Sequence, residues 1–293
     1  MSEEASAAQE PLARGYAHLP HLLPEDLVAR LIRISAANVE RASAAHRAAN
    51  RSQGSLINIA TDPGYAELVA APEILNGITG LGFCDLRFQS GFLISKPGNS
   101  PALFWHQDWW GWSLESSYLA RPLQIGVMVY LGRTSVSNGC LRVLPGSHLQ
   151  SHRLHDSITA HEAGLSRVED ERHELYQGAQ GAVALPSMPG DVLVIDARLL
   201  HSAYPNTTDQ ERMLLTLWYH PFWPDLPRGI RAHAANVFDG AVSDIAHDSR
   251  PTPRSWPPEA LKKIAALVPE SPGGPPVEFD RRPDTNRMEA MRD

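Results

Sequence analysis

Over the first eighty or so residues, apolar positions recur with a helical period. Leu27, Val28, Leu31 and Ile32 fall on one face behind Pro24, with Glu25 and Asp26 in the first turn, which predicts a helix over residues 24–48. A second helical stretch is predicted over residues 65–78, interrupted at Pro72. From residue 85 the texture changes to short β-rich runs at 86–95, 103–108, 123–131, 140–144, 182–185, 191–196 and 212–219. Gly, Pro and Asn turns separate these runs, and no helix intervenes. The pattern predicts a mainly β chain with flanking helices and an antiparallel sandwich or barrel at about 85–220, such as a jelly roll. Residues 1–16 read as a disordered polar end, 17–225 as a single domain, and 147–180 as a polar, lid-like insertion. Residues 226–293 read as a Pro-rich wrap with one short helix near 258–268.

Composition narrows the function. The 293 residues carry 26 Lys and Arg against 33 Asp and Glu, a net charge of −7, with no basic cluster that would track a phosphate backbone. Nucleic acid is therefore not an expected partner. No apolar stretch approaches the roughly 18 residues a membrane span needs, and the acidic opening MSEEASAAQE is unlike a signal peptide, so the cytoplasm is the expected location. Two cysteines stand against thirteen histidines, so the ligands of any metal should be imidazole and carboxylate.

The sharpest local feature is Phe104-Trp105-His106-Gln107-Asp108. In a strand, alternate side chains share a face, which would set His106 and Asp108 side by side toward one divalent first-row cation. A turn and a buried strand at 190–196 lead to His201, which would complete a two-His, one-carboxylate triad with open positions for a chelating cosubstrate and oxygen. Arg212, at the start of the next strand, could hold a carboxylate with paired hydrogen bonds; the bland alternative is a salt bridge to Asp209 or Glu211.

These pieces, with Gln89-Ser90-Gly91-Phe92-Leu93-Ile94-Ser95-Lys96-Pro97-Gly98 before them and Asn138-Gly139-Cys140-Leu141-Arg142-Val143-Leu144-Pro145-Gly146-Ser147-His148 between, occur in an order that resembles the phytanoyl-CoA dioxygenase family of Fe(II)/2-oxoglutarate-dependent oxygenases. The resemblance implies a double-stranded β-helix (jelly-roll, cupin-like) core. It further implies that iron is held by His106, Asp108 and His201 and the far carboxylate of 2-oxoglutarate by Arg212. Lys96, Gln124 and Met128 are expected beside the cosubstrate. Ala203 stands where some members place serine, so Ser202 or Tyr204 is expected to supply that hydrogen bond.

The implied reaction uses O2 to convert 2-oxoglutarate to succinate and CO2 while oxidising a C–H bond of a small or medium metabolite. With Asp108 present hydroxylation is the default, and desaturation or ring closure are alternatives on the same site. A cupin-type metal hydrolase or isomerase and a non-catalytic binding protein are the readings of another class. Gln89, Trp110, Trp112, His155, Arg198 and Tyr204 are the candidate substrate contacts, with packing the competing role for the tryptophans. His148, His152 and His155, at spacings of four and three, read as a polar helix or loop rather than a second metal site. Oligomeric state is open.

Overall fold

The period-two alternation becomes two antiparallel sheets in the computed structural model, which describes residues 13–157, 163–240 and 256–290. The strands are β1 (Tyr16–Leu19), β2 (Ile57–Asn58), β3 (Arg87–Lys96), β4 (Leu103–His106), β5 (Ile125–Tyr130), β6 (Leu141–Val143), β7 (Val183–Leu185), β8 (Val192–Asp196), β9 (His201–Ala203) and β10 (Arg212–His220). A large sheet runs β1-β8-β5-β10-β3-β2 and a small one β4-β9-β6-β7. Facing sheets with this interleaved order form the jelly roll.

Strand alternation decides what each face buries. Leu215, Leu217 and Tyr219 of β10, with Val127 and Val129 of β5 and Val192 and Val194 of β8, point outward into one apolar cluster. Leu27 and Leu31 of helix Glu25–Glu40, Ile74 and Ile78 of helix Pro72–Gly80 and Ile264 of helix Pro258–Ile264 close over them. The opposite parity, including Met128, Tyr130, Leu193 and Leu214, faces the small sheet's Leu141 and Val143. The inner face is where the two sheets leave room for a site.

One irregularity matters for that room. The pairing of β10 with β3 runs Trp218 to Ser90 and then Tyr219 to Phe88, so Gln89 is the extra residue of a bulge. A bulge shifts strand parity by one, which turns Gln89 inward while Phe88 joins the outer cluster.

Several expected boundaries move. Tyr16 pairs with Ile195 in β1, so regular structure begins before residue 17, and residues 1–12 lie outside the described residues. The first helix stops at Glu40, and Ser43 caps a separate helix, Ala44–Ala49, by accepting from the His46 N–H. The stretch over 65–78 does break at Pro72: a short helix, Ala66–Val69, ends before it, and Pro72 starts Pro72–Gly80, because a first turn has no use for the missing N–H. Among the described residues the tail holds three α-helices rather than one: Arg228–Phe238, Pro258–Ile264 and Thr285–Ala290. Arg228–Phe238 was masked in the sequence by flanking prolines, yet Ile230, Ala234 and Val237 repeat at four and three and are buried. Residues 147–157 and 163–180 chiefly cover the outer face of the small sheet. There Leu154, Leu165, Leu175 and Tyr176 pack on Phe104, Trp105 and Leu200. No helix among the described residues is long and apolar enough to cross a membrane.

Candidate metal centre and cavity

β4 pairs with β9 through an irregular register that sets Leu103 opposite Ala203 and His106 opposite His201, so two imidazoles from distant sequence positions meet with ring centroids 4.1 Å apart. β4 ends at His106. The amides of Asp108 and Trp109 both donate to the Ala197 carbonyl at 2.8 Å, and this turn, rather than strand alternation, swings the Asp108 carboxylate back to the histidines. Asp108 Oδ1 lies 3.8 Å from His106 Nε2 and Oδ2 lies 3.8 Å from His201 Nε2. Both separations are too long for hydrogen bonds and close to what ligands sharing one cation keep, about 3 Å with bonds of about 2.1 Å. Among the described residues this is the one group of three or more such side chains close enough to hold a metal ion.

The backbone fixes which nitrogen each ring offers. His106 Nδ1 donates to the Phe104 carbonyl and His201 Nδ1 to the Leu199 carbonyl, each at 2.9 Å, which leaves both Nε2 lone pairs facing Asp108. Burial, and then the neighbouring His201, push the pKa of His106 down to about 3, so its ring is neutral, the form that ligates. Trp218 Nε1 donates to Asp108 Oδ2 at 3.0 Å and orients the carboxylate.

These three residues line a cavity of about 1040 Å³, mouth included. Along its large-sheet wall, Arg212, Leu214, Thr216 and Trp218 of β10 all face inward. Arg212 sits beside Lys96 at one end and Trp218 beside the triad at the other. Arg212 is buried; its Nη2 donates to the Gly139 carbonyl at 2.8 Å, while Nε and Nη1 have no partner among the described residues. No salt bridge to Glu211 forms, because that carboxylate accepts from Ser95 Oγ and, at 3.0 Å, from Arg47. Lys96 is buried too. Its Nζ donates to the Ser52 and Pro101 carbonyls, and burial together with the Arg212 and Arg142 charges holds its pKa well below the usual lysine range. Asp108 is the one carboxylate among the described residues lining the cavity. A buried guanidinium with unpartnered donors and no counter-ion is costly by itself and suited to an incoming carboxylate.

Gln89, Trp110, Gln124 and Met128 also line the cavity. Five residues expected near it lie elsewhere. On β9 the side chains alternate, so His201 and Ala203 face the cavity and Ser202 faces away. Ser202 Oγ donates to the Leu103 carbonyl at 2.5 Å and accepts from Arg142 Nε at 3.1 Å. Tyr204 continues that outer face, its ring under the same guanidinium. Ala203 thus leaves its place on the cavity wall without a hydroxyl. Trp112 packs in an apolar cluster with Tyr118, Leu123 and Trp223, because the Gly111 turn breaks the alternation. His155 is buried against its own helix, its Nδ1 accepting from the His152 N–H at 3.0 Å.

Arg198 is structural. It donates to both carboxylate oxygens of Asp196 and to the carbonyls of Ser117, Leu119 and Ala120, pinning the loop behind the tryptophans. Arg198→Met leaves a buried, uncompensated Asp196. It is expected to cost about 3–5 kcal/mol in urea unfolding. A loss under 1 kcal/mol would contradict that assignment.

Among the wall residues that the sequence does not single out, four stand near the candidate ligands or close the wall beside them. Phe92, Thr216 and Trp218 follow from the parity of Lys96 and Arg212 on paired strands, a signal that was available. Arg281 was not legible: it comes from the tail, where Asp280 pairs with Gly111 and the Gln107 side-chain amide donates to the Arg281 carbonyl at 2.9 Å. Of the described residues in 147–180, only Ser166 reaches the cavity.

Known proteins share this fold. Ectoine dioxygenase of Sphingopyxis alaskensis is 28% identical over 188 residues, 58% of this chain and 60% of its own length. The match thus spans less than two thirds of that relative. EvdO2 from Micromonospora carbonacea var. aurantiaca, solved in complex with 2-oxoglutarate, is 26% identical with a TM-score of 0.52, over 75% of this chain and 92% of that one. EctD from S. alaskensis, solved with bound Fe, shares the fold at 23% identity and a TM-score of 0.52, over 75% of this chain and 76% of that one. The phytanoyl-CoA dioxygenase (PhyH) family model matches residues 13–214, more than half of the sequence, and the chain belongs to that family.

Proposed function

We propose that this protein is an Fe(II)/2-oxoglutarate-dependent dioxygenase that hydroxylates a C–H bond of a small or medium metabolite. The observation that carries the reading is the pairing, within one cavity, of a His106–Asp108–His201 cluster with a buried Arg212 whose Nε and Nη1 meet no acceptor among the described residues. Each half alone fits other functions. Together they match a cation on one side and a dicarboxylate spanning from it to a guanidinium on the other.

When bound, iron and 2-oxoglutarate supply the oxidising power, with O2 consumed and succinate and CO2 released. The protein's share is positional. His106, Asp108 and His201 hold one face of the cation, and Asp108 leaves no ligand position there for a halide. Arg212 holds the far carboxylate, and Gln124 is placed for the metal-side one. Met128, Tyr130 and Leu214 form the apolar wall between them and exclude water. Gln89 and Trp110 line the cavity where a substrate would meet the metal.

Converting 2-oxoglutarate to succinate with Fe(II), ascorbate and O2, without added substrate, is the direct test. We expect slow, iron-dependent succinate formation, and a weak visible charge-transfer band under anaerobic conditions. A hydrolase or an inert binder gives neither, and their joint absence in folded protein would discard the proposal.

The contact from Trp218 gives a graded version of the same test. Trp218→Phe removes the hydrogen bond to Asp108 while keeping most of the packing against Phe92. Loss of such an outer partner typically weakens metal binding about 10–100-fold. We expect that range by iron titration, with an unchanged 2-oxoglutarate requirement.

A further inference from the structure

Beside the triad, three side chains form a chain of hydrogen bonds. His220 is fully buried at the end of β10; its Nδ1 lies 2.7 Å from the Leu123 carbonyl and its Nε2 lies 2.8 Å from the side-chain amide of Gln89. The same end of the Gln89 amide lies 3.2 Å from the side-chain amide of Gln124. Gln124 is buried and lines the cavity, and the far end of its amide has no partner among the described residues.

Proton counting decides which way these amides face. A backbone carbonyl only accepts, so the 2.7 Å contact requires a proton on His220 Nδ1. Burial pushes the pKa of His220 down to about 4, and the charge of His233 works in the same direction, so the ring is neutral at pH 7 and Nε2 carries a lone pair. A lone pair facing the Gln89 oxygen at 2.8 Å repels; facing its NH2 it bonds. The two ends of an amide are nearly isosteric, so the distances hold for either orientation. With the NH2 of Gln89 shared between His220 and Gln124, Gln124 must meet it with its oxygen. Its own NH2 is then the partnerless end at the cavity.

We infer that His220 is a positioning residue that, through Gln89, fixes Gln124 with its NH2 toward the cavity as a donor for a carboxylate oxygen of 2-oxoglutarate. The inference rests on the function proposed above and adds a polarity to it. Gln124 facing the cavity with oxygen would repel the same carboxylate. The relay also leaves the Gln89 carbonyl as an acceptor, so that residue is suited to a substrate O–H or N–H.

The first test needs neither iron nor cosubstrate. In protein carrying 15N in its histidine rings, the His220 signals, assigned by their loss in His220→Phe, should show Nδ1 protonated and Nε2 bare at pH 7. A doubly protonated ring, or a proton on Nε2 alone, overturns the inference. The second test is anaerobic titration of 2-oxoglutarate into the Fe(II) protein, followed by the charge-transfer band. His220→Phe should weaken binding about tenfold or more, the worth of one hydrogen bond to a charged group. His220→Gln, whose amide can donate to Leu123 and accept from Gln89, should restore it to within a few-fold of wild type. Equal loss in both folded variants, or loss in neither, contradicts the relay. A wild-type protein that gives no band removes the cosubstrate reading instead, and the ring signals still decide the tautomer.

Discussion

Asp108→Ala is expected to abolish iron binding at working concentrations and, with it, all succinate formation. Asp108 is the one carboxylate among the described residues of the cavity wall, and it reaches toward both histidines, 3.8 Å from each Nε2. Without it, two imidazoles must hold a divalent cation with no anionic ligand and no third point of attachment. The loss should exceed the roughly 10–100-fold that follows removal of an outer partner. A hundredfold loss already corresponds to about 2.7 kcal/mol. The fold should survive, because the substitution removes a partly buried charge and strands only one hydrogen bond, from Trp218. Calorimetric titration with Fe(II), or Co(II) as a redox-stable stand-in, checks the first part, and thermal unfolding of metal-free protein the second. Stoichiometric, wild-type-strength metal binding by folded Asp108→Ala would remove Asp108 from the metal centre.

The contrast between what was and was not readable from the sequence follows from how each residue reaches the cavity. The jelly roll was legible because its strands alternate cleanly, and Leu214, Thr216 and Trp218 obey the same parity as Arg212. His106 and His201 were legible as a pair only through the ordered motifs around them, since their meeting depends on the non-local pairing of β4 with β9. Ser202 and Tyr204 were misplaced because the missing hydroxyl at Ala203 invited a neighbour to replace it, while β9 turns both neighbours outward. Gln89 faces the cavity through a bulge, which no hydrophobic pattern announces. Arg281 and His233 come from the tail, whose prolines conceal its helices and whose route back to the Gln107–Trp112 loop is set by tertiary contacts. Rules of period and parity see along one strand; a site assembled from six strands, their loops and the tail exceeds their reach.

Arg212→Met is expected to do two opposite things: raise the 2-oxoglutarate requirement about a hundredfold or more, and stabilise the protein in the absence of cosubstrate. Both follow from one fact. The guanidinium is buried and two of its nitrogens meet no acceptor among the described residues, so without cosubstrate the protein bears much of the desolvation cost of a cation, in keeping with its lowered pKa. A methionine of similar length removes that cost and packs against Leu214, Tyr130 and Ile94, and comparable replacements of buried charges gain about 1–4 kcal/mol. The same exchange deletes the paired hydrogen bonds that a carboxylate receives from arginine. Arg212→Lys should recover little of the binding, because an ammonium cannot reproduce the planar fork. Iron affinity should stay near wild type in both variants, since Arg212 and the triad lie at opposite ends of the wall. Urea unfolding of the metal-free proteins and titration of 2-oxoglutarate against the charge-transfer band read the two effects separately. If Arg212→Met lost stability without cosubstrate while keeping its 2-oxoglutarate affinity, the residue would be a structural cation and the cosubstrate would have to be held elsewhere.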